Sequence, residues 1–260
     1  MKKIMLFSLL VPIALFGQIS PYATHMEKTN EQFRNGEFVW KVIYQNDYVG
    51  QFIPINGINL VTKETDPQIF SSDLATIHKK LGGVATSPDG MTASSVGYPM
   101  EGRALASGHE CGDGKVHNYG LVIVCDGFHI TFSHKKEIAD FNSFYEQERK
   151  DSSTVFFLPV IFRKGNMIDS GTSYAEKVLI RRDTPTGPQI GMIVFNDLYS
   201  YHRILEIVLG FDRQGKSETT HIYILDGGPT WGQWTKEVNG KIEVEGTRDK
   251  DLVSNYLVFY

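Results

Sequence analysis

The sequence predicts an α+β fold, a mixed β-sheet with flanking helices. Three observations carry that prediction. Ile222-Tyr223-Ile224-Leu225 is a run of β-formers that stops on Asp226-Gly227-Gly228, as a strand buried on both faces does when it ends in a tight turn. Asp126-Gly127 and Asn239-Gly240 are two-residue turn signals between apolar segments. The last third alternates strand, capped helix and strand, which predicts a parallel pairing with a right-handed crossover.

The elements follow in chain order. Lys2 and Lys3 precede an apolar run from Ile4 to Phe16, followed by Gly17. The run falls short of the roughly 20 residues that span a bilayer and suits a signal peptide, residues 1–17. The mature chain is therefore expected outside the cytoplasm, periplasmic or secreted, with no membrane insertion after the signal is removed. Residues 18–36 are polar and mixed, a loosely held lead-in to a single domain over 37–260. Phe38–Tyr44 alternates as a strand, with Tyr48–Ile55 its hairpin partner across Asn46-Asp47. Ile58–Thr62 is a short strand. Ser71 or Ser72 caps a helix running to Leu81 with Gly82 as its stop, and Val84–Ser87 is the strand that leaves it. Met91–Asn118, rich in Gly and Ser, reads as a long surface loop, a type that tends to be functional.

Tyr119–Cys125 and Phe128–Ser133 form the clearest hairpin. Lys136–Arg149 is helical by the spacing of Ile138, Phe141 and Tyr145. Val155–Phe162 is a strand in which Pro159 forces a bulge or an edge. Ile190–Phe195 is a strand, and Ser200 caps a helix over Tyr201–Leu209 that stops at Gly210. Tyr256–Tyr260 is the last strand. The Ile58–Gly90 and Ile190–Gly228 units share the order strand, capped helix, strand, Asp-Gly. Either they are a structural repeat that sets Asp89 and Asp226 at equivalent strand ends, or they are two ordinary units alike by chance.

Composition narrows the function classes. The 260 residues are 41% hydrophobic and 22% charged, with a net charge of −4. No basic block marks a nucleic-acid partner. Cys111 and Cys125 form a bridge if the compartment is oxidising and the fold brings them together; otherwise one is a buried thiol and the other a loop thiol. His109, Glu110, Cys111, Asp113 and His117 are metal-capable, but their spacing matches no zinc pattern, and neither metal nor cofactor is implied. Trp231 and Trp234 suit either sugar stacking or core packing. His202 and His221 read as structural.

The order of segments resembles the phosphodiester glycosidase family. Phe157-Leu158-Pro159-Val160-Ile161-Phe162-Arg163-Lys164-Gly165 is similar to its segment of Pro-Leu, an aliphatic residue, Arg or Asp, and Gly. Arg182 followed by Ile190-Gly191 resembles its Arg-Thr-Ala-Ile-Gly segment with an insertion, and Leu225-Asp226-Gly227-Gly228 its Leu-Asp-Gly-Gly segment. Pro88-Asp89-Gly90-Met91 stands where the family has Asn-Gly-Gly, and Asn118-Tyr119-Gly120 near its Pro-Asn-Gly turn. The likeness spans roughly residues 80–234. It implies cleavage of a glycosyl phosphodiester, or a related envelope glycan linkage, at the anomeric carbon, so the partner is a glycan or sugar-phosphate substrate. Asp226 would activate water or steady the oxocarbenium-like transition state, with Asp89 the partner acid. Arg182 would bind the phosphate. Gly227, Gly228, Thr230 and Trp231 would line the substrate site. The residues that differ from the family pattern, Pro88-Asp89 and Pro229-Thr230-Trp231, suit a non-catalytic glycan- or phosphate-binding module on the same fold.

Overall fold

The computed structural model describes residues 22–62, 65–67, 74–88, 103–116, 120–169, 173–215, 217–225, 234–245 and 255–260. The expected signal peptide, the expected helix cap at Ser71 or Ser72, Asp89, and Asp226 to Trp231 lie outside them.

The chain is mostly β. Among the described residues eighteen strands form three sheets, and every pairing is antiparallel. The expected mixed sheet is thus corrected. The first sheet contains β1 (Thr24–Gln32), β2 (Phe38–Tyr44), β3 (Asp47–Pro54), β11 (Val160–Arg163), β12 (Asn166–Met167), β13 (Tyr174–Thr184), β14 (Gly187–Ser200) and β15 (Glu218–Leu225). Its order is β1-β2-β3-β14-β13-β15-β11-β12. The second sheet contains β6 (Ala104–Ala106), β7 (His109–Cys111), β8 (Gly120–Cys125), β9 (His129–His134) and β10 (Thr154–Leu158), in the order β7-β6-β10-β8-β9. The third contains β4 (Ile58–Thr62), β5 (Ala85–Pro88), β16 (Trp234–Val238), β17 (Lys241–Glu245) and β18 (Asn255–Phe259), in the order β17-β16-β5-β18-β4.

The lead-in is not loose. Residues 24–32 form the edge strand β1, paired with β2, and Thr24 is buried with its hydroxyl donated to the Ile207 carbonyl. The supposed long loop contains the β6–β7 hairpin. The expected single helix over 136–149 is two elements, a 3-10 turn at Lys135–Glu137 and α2 (Phe141–Lys150). Asp140 divides them by capping α2, accepting from the Ser143 backbone N–H at 3.1 Å. Ser200 caps α3 (Tyr201–Leu209) as expected. α1 (Leu74–Leu81) stops at Gly82, whose φ of 75° suits a residue without a Cβ.

Three clusters fill the molecule. The largest lies where the sheets meet and takes Leu179, Tyr223 and Leu225 from the first, Val122 and Phe156 from the second, and Ala85, Trp234 and Leu257 from the third. The opposite face of the first sheet packs Val178, Ile180 and Ile222 under α3. α1 covers the outer face of the third sheet through Leu74 and Ile77. Pro159 passes the chain from β10 in the second sheet to β11 in the first, and its carbonyl accepts from the Ile224 N–H at 2.8 Å. Proline has no N–H to continue a ladder, so the apolar run must break there.

The predicted parallel pairing does not form. β14 and β15, joined by α3, run in the same direction but are separated by β13, which is antiparallel to both. β4 and β5, joined by α1, straddle β18 in the same way. The match extends further. The spatial order β14-β13-β15-β11-β12 in the first sheet corresponds to β4-β18-β5-β16-β17 in the third, with the same pattern of strand directions. The two halves carry one topology in circularly permuted chain order. β15 and β5 are equivalent strands within it.

Two packing features yield predictions. A Cβ on Gly191 would sit 2.1 Å from the Phe52 ring and 2.9 Å from the Ile53 carbonyl oxygen. The glycine therefore serves core packing, and Gly191→Ala is expected to cost about 1–3 kcal/mol in urea unfolding. Of the two alternatives for Cys111 and Cys125, the structure has the free thiols. Cys111 on β7 and Cys125 on β8 are three strand positions apart, about 14 Å at ~4.8 Å per strand, whereas a disulfide needs a Cα separation of roughly 4.4–6.8 Å. Titration of the denatured, unreduced protein should find two thiols per chain.

Candidate functional site

β15 is buried along its second half, and Leu225, its last residue, is fully enclosed. The ladder with β13 sets Leu225 opposite Lys177, Tyr223 opposite Leu179, and His221 opposite Arg181. Paired residues point to the same side of a sheet. Lys177 therefore shares the face of Leu225 and, on β14, of Val194, both of which belong to the core between the sheets. It is fully buried. Lysine is rarely fully buried, and a charge enclosed in this way must be answered locally. It lies at the end of β15 that Asp226 follows. Sequence reasoning passed it over. Once the strand is known, its position two residues before Leu179 places it on the same inward face.

The same end gathers the family-like segments. Pro159 is bonded to Ile224. Leu158 pairs with Gly120. A Cβ on Gly120 would meet the Tyr223 ring at 2.6 Å, so the glycine lets that ring lie across β8. The Tyr223 hydroxyl donates to the Ser133 carbonyl at 2.6 Å. β16 begins at Trp234, which is buried in the core, and pairs with β5 through Thr235 and Thr86.

Arg182 lies elsewhere. It pairs with Thr219 on β15 and Gln189 on β14. That is five residues along β13 from Lys177, about 17 Å at ~3.4 Å per residue, and on the opposite face of the sheet. There its guanidinium lies 4.4 Å from the Phe211 ring centre, in the cluster under α3. The residues between Arg182 and Gly191, read as an insertion, are the ends of β13 and β14 and the turn joining them. Arg182 and the end of β15 are thus not brought into one cleft. Of the residues expected to form the site, Asp226, Asp89, Gly227, Gly228, Thr230 and Trp231 lie outside the described residues.

The metal-capable residues of the supposed loop are dispersed. Glu110 pairs with Arg103 at 3.3 Å, Cys111 is buried, and Asp113 accepts from the Lys115 backbone at 2.9 Å. His117 lies outside the described residues, and among those described no group of three or more potential ligands converges. Among the described residues no helix is long and apolar enough to cross a membrane.

Against known proteins, no family model and no characterised sequence matches this chain. A match comes from the fold. The catalytic domain of zebrafish N-acetylglucosamine-1-phosphodiester alpha-N-acetylglucosaminidase, auto-inhibited by its pro-peptide, is similar over 93% of this chain and 84% of that one, with a TM-score of 0.55 and 10% identity. At that identity the likeness is one of fold.

His221 gives the site's surroundings a pH dependence. It is buried, stacked on Phe132 at 5.5 Å, with Nδ1 3.1 Å from the Thr220 hydroxyl and no partner for Nε2 among the described residues. Burial, aided by Arg181, Lys164 and Arg163, pulls its pKa down to about 4. The folded value is below the unfolded one, so the unfolded chain takes up the proton first as the pH falls. His221 costs nothing above pH ~6.5, and stability is lost between there and about 4. In urea unfolding at pH 7 and 4.5, His221→Phe is expected to reduce the acid-induced loss of stability by about 2–3 kcal/mol.

Proposed function

We propose that the chain is an exported hydrolase that cleaves a glycosyl phosphodiester or a related envelope glycan linkage. The observation that carries this reading is the fold shared with a phosphodiester glycosidase over nearly the whole chain. The burial of β15 up to the residue before Asp226 supports it.

In this reading a phosphate monoester departs from the anomeric carbon. Such a leaving group needs little protonation, so the demands fall on charge and position. Asp226 activates water or steadies the developing cation at the anomeric carbon, and Asp89 is the partner acid. The equivalence of β15 and β5 in the two halves supports pairing them, since each carboxylate follows the corresponding strand. Backbone N–H groups of Gly227 and Gly228 cradle the phosphate, and Thr230 and Trp231 contact the sugar. We assign the cation of this site to Lys177, because Lys177 and not Arg182 faces the end of β15.

Asp226→Asn keeps the side-chain volume and removes the charge. It is expected to lower release of free sugar from a synthetic sugar-1-phosphodiester by a factor of about 100 or more, with the thermal unfolding midpoint unchanged. Turnover that survives the substitution would overturn the assignment. A second reading, a glycan- or phosphate-binding module, is favoured by Pro88-Asp89 and Pro229-Thr230-Trp231. Wild-type protein that binds the diester without releasing sugar would establish it.

A further inference from the structure

Arg182 is 6% exposed, yet it lines an open cleft of about 360 Å³ at the end of the first sheet remote from Leu225. Its guanidinium is held in place from several sides. Nη1 donates to the Gln189 side chain at 3.4 Å, Nη2 donates to the Ser217 hydroxyl, and the group stacks on Phe211. Nε has no partner among the described residues. A guanidinium offers five N–H donors, and a buried cation is costly unless its charge is balanced. Asp212 is the carboxylate that acts on it electrostatically. No ion pair forms within 4 Å among the described residues, and one oxygen of Asp212 already accepts from both the backbone and the hydroxyl of Thr219 at 2.9 Å. The cation is fixed and pre-oriented, and it is only partly neutralised.

The rest of the cleft suits a hydroxyl-bearing ring. Trp40 is half-buried and lines both this cleft and an adjoining one of about 400 Å³, which also share Thr184, Thr186 and Gln189. An indole face beside hydroxyl and amide groups can receive the C–H face of a sugar while its hydroxyls are hydrogen-bonded. The volume is at the low end of the ~300–1,000 Å³ of small-molecule sites, room for a single ring and its charged group.

From this geometry we infer that the Arg182–Trp40 cleft is a second binding site, for an acidic sugar whose carboxylate or phosphate sits on Arg182 and whose ring lies against Trp40. It is independent of the hydrolytic reading, since it is on the other face and at the other end of the sheet. Calorimetric titration of the purified chain with glucose 6-phosphate, glucuronate, glucose and inorganic phosphate tests it. Either acidic sugar should bind at least about 10-fold more tightly than glucose, and which of the two is preferred identifies the anion. Arg182→Met, which retains packing on Phe211, should weaken that binding by about 10- to 100-fold, and Trp40→Phe by several-fold. Asp226→Asn should leave it unchanged. On the wild-type chain, amide shifts on adding the sugar should centre on Thr184 to Gln189 and Ser217, a readout that does not depend on any variant folding. The proposal is overturned by no binding, by shifts centred elsewhere, by loss of binding in Asp226→Asn, or by inorganic phosphate binding as tightly as the sugar phosphate.

Discussion

The break in the ladder at Pro159 is the constraint on which the arrangement of the sheets depends. A residue without an N–H cannot extend β10, yet the residues on both sides of it are buried and apolar. The chain resolves this by changing sheets within one residue. The carbonyl of Pro159 is satisfied by the Ile224 N–H, which fastens the crossing to β15. Leu158 is thereby held beside Gly120 and Val160 beside Tyr223, and the missing Cβ of Gly120 admits the Tyr223 ring between the two sheets. The large core between the sheets closes around this point.

The permuted repeat explains how two distant parts of the chain become equivalent. In each half, two strands joined by a helix leave a gap that a third, antiparallel strand fills. In the first sheet the filling strand, β13, comes earlier in the chain than the pair it divides. In the third sheet it is β18, the last strand. A strand-helix-strand order is therefore compatible with a wholly antiparallel sheet, because direction along the chain does not fix which strands are neighbours.

Buried cations mark the places where this mostly apolar packing carries charge. Lys236 on β16 is enclosed and answered by Glu31 at 2.7 Å and Gln51 at 2.8 Å, so it ties the third sheet to the first. Lys177 is enclosed at the end of β15, and Arg182 at the far end under α3. The cost of burying a charge is offset only by specific partners, so such positions are where a fold of this kind acquires specificity for a ligand or for one register.

Most elements were legible in the sequence because local physics sets them. Asp126-Gly127 and Asn239-Gly240 turn hairpins, the β2–β3 turn falls at Gln45-Asn46, one residue before the expected Asn46-Asp47, Ser200 caps α3, Gly82 stops α1 and Pro159 breaks a strand, each through the conformation or hydrogen bonding of a few adjacent residues. Tyr174–Thr184 was not legible, although it is one of the two central strands of the largest sheet. Glu176, Lys177, Arg181, Arg182 and Asp183 break both its apolar run and its alternation, and only burial between β14 and β15 makes it a strand. The same holds for the site. The sequence by itself determined that an acid follows a buried strand and that an arginine precedes Ile190-Gly191. Only the tertiary structure decided that the arginine stands at the other end and on the other face of the sheet from Leu225, and that Lys177 is the residue paired with Leu225. Strand neighbours, faces and register come from contacts between residues far apart in the chain, and no local pattern encodes them.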